Sequence, residues 1–112
     1  MDSLKQVIKE YLFEELWEAQ CILRSDDEKN ITKVTDNLRG LRGVTVVTVD
    51  GPAKKVGPGV ERTKLKVKFF QMAPTMKEQL ANMSNEARKI DGVFSFMPVR
   101  WNKVVNRIYR PN

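Results

Sequence analysis

Thr63-Lys64-Leu65-Lys66-Val67-Lys68-Phe69-Phe70 alternates without a break, with Leu65, Val67 and Phe69 on one side of an extended chain and Lys64, Lys66 and Lys68 on the other. A period of two with one apolar side is the pattern of a half-buried strand, so this stretch predicts a sheet resting on a core. The lysine row poses the functional question: it faces water, nucleic acid or another protein.

Just upstream, Val44 to Val49 is rich in β-branched residues and reads as a second strand, ended by Asp50-Gly51-Pro52. The residues between the two strands hold Gly51, Pro52, Gly57, Pro58 and Gly59, with Lys54 and Lys55 near the expected tip, so the pair predicts a hairpin with a long basic loop. Gly57-Pro58-Gly59 lacks the Lys-Ser/Thr ending of a phosphate loop and leads into no helix.

Downstream, Thr75 and Glu78 form a capping box, and Met76, Leu80, Met83, Ala87 and Ile90 recur as the buried stripe of a helix. Met72, Met76 and Met83 read as gap-filling core residues rather than a soft metal site. Gly92 ends that helix, Val93 to Met97 reads as a strand, and Pro98 marks an edge or a break. Beyond it, Trp101, Val104, Val105 and Ile108 recur at helical spacing, with Arg100, Lys103, Arg107 and Arg110 on the other side and Tyr109 among them. Several of these residues also suit a strand, but the expectation is a short helix or an ordered tail over 99–112.

At the other end, Ser3 can cap an amphipathic helix built on Leu4, Val7, Ile8, Tyr11, Leu12 and Leu16, expected over 1–17. Phe13 and Trp17 lie off its stripe, which means a wide core contact, an early helix end, or a second apolar face for a partner chain. From Glu18 to Arg24, Ala19, Cys21 and Leu23 alternate with Gln20 and Ile22 as a short strand, although helical continuation would look similar over so few residues. An acidic turn, Ser25 to Glu28, precedes a helical stripe of Ile31, Val34, Leu38 and Leu41 that Gly40 and Gly43 end. Asp26, Asp27 and Glu28 suit the start of that helix without invoking a metal.

Composition bounds the classes. A chain of 112 residues with 41% apolar side chains predicts one domain. Twenty Lys and Arg against 14 Asp and Glu leave +6, unevenly placed. Residues 1–30 carry eight acids and four bases, residues 51–70 six bases and one acid, and residues 98–112 four bases and no acid. One cysteine excludes an internal disulfide and fits a reducing compartment. No signal peptide and no long apolar run are found, so the expectation is a protein made in the cytoplasm without a membrane span.

Leu41-Arg42-Gly43-Val44 and Ile90-Asp91-Gly92-Val93 repeat one pattern: each closes a helix with an apolar residue, a charge and a glycine, then opens a strand with valine. With the strand at 18–24, the order is an added helix, then βαββαβ, then a basic tail. Over residues 18–98 this order resembles the ferredoxin-like fold, an α+β sandwich, which implies two helices on one sheet face and an open opposite face carrying Lys64, Lys66 and Lys68. RNA-recognition domains share the topology and stack bases on aromatic residues of the central strands; here lysines stand where those rings would be, which leaves only a reader of backbone charge. The acidic opening helix joined to a compact domain with a basic hairpin and tail is also similar to small virion structural proteins of tailed bacteriophages.

The chain contains no histidine, no paired nucleophile and base, and no set of spaced metal ligands, so no catalytic residue, cofactor, metal or small-molecule substrate is expected. Two binding roles remain. The first is assembly, as a homo-oligomer or in a larger complex such as a virion, through Phe13, Trp17, Trp101 and Tyr109 with complementary charge at Lys54, Lys55, Arg100, Lys103, Arg107 and Arg110. The second is nucleic-acid binding through Lys54, Lys55, Lys64, Lys66 and Lys68, extended by the basic tail. The eight acids of the first thirty residues favour assembly, because they would repel phosphate.

Overall fold

The structure is a computed structural model and describes residues 15–104. The alternation that opens at Leu65 extends across the molecule as a five-stranded antiparallel sheet with two helices, an α+β fold. Its elements are β1 (Leu16–Ser25), α1 (Asn30–Arg39), β2 (Val44–Val49), β3 (Lys54–Gly57), β4 (Val60–Phe70), α2 (Met76–Arg88) and β5 (Val93–Lys103). The strand order is β2-β4-β1-β5, with β3 paired to β4 beyond the end of β2. This arrangement is compatible with a ferredoxin-like topology.

The short strand expected at 18–24 is real, longer, and central. β1 pairs with β4 over ten residues from Leu16↔Phe70 to Ser25↔Glu61, and with β5 on its other side. The shared register sets Cys21 opposite Leu65 and Ala19 opposite Val67, so the apolar faces of both strands coincide. Ala19, Leu23, Val67 and Phe69 are fully buried and join Val34 and Leu38 of α1 and Met83 and Ala87 of α2 in one core. Both helices therefore cover the same face.

Three expectations need correction. Trp17 belongs to β1 rather than to the N-terminal helix, because its strand begins at Leu16; residues 1–14 of that expected helix lie outside the described residues. Lys54 and Lys55 are in strand β3, not in a loop: a two-residue turn at Pro58-Gly59 brings Gly57 opposite Val60 and lets the basic segment pair with β4. β5 runs through Pro98 to Lys103, so Arg100, Trp101 and Lys103 are strand residues rather than part of a short helix or tail, and of the two readings of Pro98 the edge holds. Pro98 is tolerated because β5 is an edge strand and Val99 bulges out of register between Pro98 and Arg100. Asp26, Asp27 and Glu28 sit just ahead of α1, which starts at Asn30, as expected. Asp27 accepts the Lys29 N–H at 2.8 Å and Asp26 accepts from the Asn30 amide at 2.7 Å, so these acids hold the turn.

The internal repeat survives in detail. Gly43 and Gly92 both sit at φ 91°, in the left-handed region. The N–H of the following valine returns at 3.2 Å to Leu41 in one half and to Ile90 in the other. Each glycine carbonyl then crosses to the other half: Gly43 accepts from Phe70 at the end of β4 (2.8 Å), and Gly92 accepts from Asp26 just after β1 (2.9 Å). There is no room for a side chain at either place. A Cβ on Gly43 would stand 2.7 Å from the Phe70 carbonyl oxygen, and one on Gly92 would stand 2.4 Å from the Asp26 carboxylate.

The Thr75 half of the capping box holds: its Oγ1 accepts from Glu78 N–H at 3.2 Å. Less visible in sequence is Gln79, buried in the stripe of α2. Its Oε1 accepts the Met72 and Ala73 N–H groups at 2.7 and 3.1 Å, tying the chain after β4 to the helix.

Gly43→Ala and Gly92→Ala are each expected to lower unfolding free energy by about 2 kcal/mol, combining the ~1–2 kcal/mol cost of a left-handed L-residue with the clash. Urea unfolding followed by tryptophan fluorescence measures this, and a loss under about 0.5 kcal/mol would show that these junctions accept a Cβ.

Candidate functional site

With both helices on one face, the other face of the sheet is open among the described residues, and the register defines what stands on it. Side chains directly opposite one another share a face, so four rows can be read across the strands. The first is Lys54–Arg62–Arg24–Ser95, from β3 to β5. The second runs from Asp50, whose N–H donates to the Lys64 carbonyl at 2.8 Å, through Lys64 and Ile22 to Met97. Thr48–Lys66–Gln20–Arg100 and Val46–Lys68–Glu18–Asn102 complete the face.

Seven cations thus share one surface with two carboxylates, Glu18 and Asp50. Among the described residues of this face, Lys66 alone comes within ion-pair distance of an acid, at 4.0 Å from Asp50 with both side chains well exposed, a weak pair. Among the described residues, Arg24, Lys54, Arg62, Lys64, Lys68 and Arg100 have no ion pair. Glu61, the remaining acid of the β3–β4 hairpin, offsets none of them, because it pairs with buried Ser25 on the helix side.

The face is not uniformly polar. Val46, Met97 and Val99 are each about half exposed, and Ile22 lies beside Met97 in the second row. Gln20, Ile22, Lys64, Asp50 and Val99 border a shallow hollow of about 250 Å³, and a smaller one of about 100 Å³ lies between Asp50, Pro52, Lys54, Arg62 and Lys64.

The residues singled out in sequence divide accordingly. Lys54, Lys64, Lys66, Lys68 and Arg100 come together here, whereas Lys55 points the opposite way, across from Glu61. Trp101 and Lys103 sit opposite Ala19 and Trp17, on the helix side. Trp17 is half-buried against the core, with Lys103 Nζ 5.7 Å from its ring centroid, and that ammonium also reaches Glu15 at 3.0 Å. Phe13, Arg107, Tyr109 and Arg110 lie outside the described residues. Arg24 and Arg62 were missed, although each continues the outward alternation of its strand and that signal was available.

A second surface lies on the helix side, where β5 meets α2. Met76, Leu80, Ala81, Pro98 and Trp101 line an open groove of about 310 Å³ whose walls are almost wholly apolar, with Lys77 and Ser84 at its border. Trp101 is 42% exposed there, and Phe94 farther along β5 is 56% exposed. Among the described residues no helix is long and apolar enough to cross a membrane.

No protein-family model matches this chain, and neither does any curated protein.

Cys21 belongs to the core beneath the open face. Burial pushes its thiol up to about 12 from an ordinary 9.0, which keeps it protonated and unreactive. Because the folded value is the raised one, its contribution to stability is intact below pH 9 and lost as pH rises towards about 12. Native protein is expected to leave Cys21 unmodified by a thiol reagent that labels it fully in urea. The stability of the native chain should also fall relative to Cys21→Ala across that alkaline window; parallel pH profiles would refute the shift.

Proposed function

We propose that this protein is a non-enzymatic assembly subunit built on a ferredoxin-like βαββαβ unit, with β3 as an addition to the hairpin, and that it associates with further copies of itself through the β5–α2 flank. The observation that carries this reading is an exposed aromatic side chain beside an apolar groove: Trp101 of β5 is 42% exposed where it lines the groove against Met76, Leu80 and Ala81 of α2. Exposed apolar surface of this kind, beside an apolar groove, is what a protein–protein contact covers.

The flank suits a two-fold contact. Trp101 both lines the groove and projects from it, so one copy's Trp101 can fill the other's groove while its own is filled in return, the self-complementarity that an isologous interface requires. Addition of a strand to β5 is disfavoured, since Pro98 offers no N–H at the middle of that edge. The opposite edge is blunted too, by Arg39 donating to the Val47 carbonyl at 3.2 Å. Association through side chains is therefore favoured over sheet extension. The similarity in organisation to small virion proteins of tailed bacteriophages makes a virion the proposed setting, and capsid or tail genes beside this one are the expected context.

Size-exclusion chromatography with light scattering is expected to show oligomers that grow with concentration. Trp101→Ala should raise the association midpoint at least about tenfold, equivalent to ~1.4 kcal/mol. A monomer at every concentration with no copurifying protein, or an unchanged midpoint in Trp101→Ala, would overturn the reading.

A further inference from the structure

The first row of the open face is unusual in its energetics. Arg62 stands directly between Arg24 on β1 and Lys54 on β3, so three cations lie side by side across strands roughly 4.8 Å apart. Like charges directly opposite one another destabilise a sheet, and none of the three has an ion pair among the described residues. Lys64, Lys66 and Lys68 continue from Arg62 along β4 at roughly 6.8 Å intervals, and Arg100 lies two strands away from Lys66 across Gln20. The face thus holds a linear track of cations and a cluster at one end, a pattern that folding alone does not favour.

We propose that the open face binds single-stranded nucleic acid, laid along β4 with its phosphates on Lys54, Arg24, Arg62, Lys64, Lys66 and Lys68. Charge complementarity selects a polyanion. The choice of single strand rests on the apolar strip beside the track: Ile22, Met97 and Val99 offer a surface on which unpaired bases can lie, while a duplex would present phosphates alone and leave the strip uncovered. Recognition is independent of base sequence, because lysines occupy the β4 positions from which aromatic rings would stack. The site is separate from the β5–α2 groove, on the opposite face of the sheet, and does not depend on the assembly reading.

The test is fluorescence anisotropy with a labelled oligothymidylate across salt concentrations from about 50 to 200 mM. The expected log–log slope is about −4, from about −0.7 for each of six phosphate contacts, and Lys64→Ser/Lys66→Ser/Lys68→Ser should flatten it to about −2. Lys29→Gln/Lys33→Gln/Arg88→Gln removes equal charge from exposed residues of the two helices and the α1 cap and is expected to leave slope and affinity unchanged. Arg24→Gln and Arg62→Gln should weaken binding yet raise the thermal midpoint at low salt, by relieving repulsion that a purely structural residue would not carry. A flat salt dependence, equal losses in the helical control, or binding unaffected by any of these face variants overturns the proposal. So does a duplex of equal length that binds as tightly, or polyglutamate that competes as well at matched charge, which would assign the face to an acidic protein.

Discussion

The ten-residue antiparallel pairing of β1 with β4 is the constraint from which the remaining structure follows. Both strands alternate with a period of two, and their register sets Ala19, Cys21 and Leu23 opposite Val67, Leu65 and Thr63 on one side. A slip of one residue would turn three lysines towards the helices and expose the core. The helices lie where they do because the apolar side of this pair needs cover. β2 and β5 are then placed by the two short junctions that return each helix to the sheet.

Those junctions explain how two halves with little residue identity form one body. Each half sends a carbonyl from its left-handed glycine to the chain emerging from the other half's central strand. Neither half can complete its own turn alone, so the two helix–strand units are coupled by reciprocal backbone bonds as well as by the core. The two central strands run antiparallel and the two helices share a face, which is why equivalent glycines meet equivalent partners.

Covering one face with both helices leaves the other bare, and electrostatics then divides the molecule. Cations gather on the bare side because every outward position of β4 from Arg62 to Lys68 is basic and the register adds Arg24, Lys54 and Arg100. On the helix side, α2 leaves an apolar groove beside Trp101 of the edge strand β5. Two surfaces of different chemistry on opposite sides suit a subunit that contacts a polyanion on one side and a protein on the other.

The sequence by itself determined the class of the fold. The alternation at Thr63 to Phe70, the two helical stripes, the Thr75 cap and the repeated glycine junctions are local signals, and local signals are legible wherever burial has a simple period. Where it does not, tertiary structure decided. Pro98 allowed an edge or a break, and only the strand pairing decided between them: β5 lies at the sheet edge with a bulge at Val99, has no use for that N–H, and continues to Lys103. Lys54 and Lys55 looked like neighbours in a loop; pairing with β4 made them strand residues pointing to opposite faces. The candidate site shows the same limit. Its lysine row could be read from one strand, but the cluster of Lys54, Arg62 and Arg24 is formed by residues up to 38 positions apart, brought side by side only by the register of three strands.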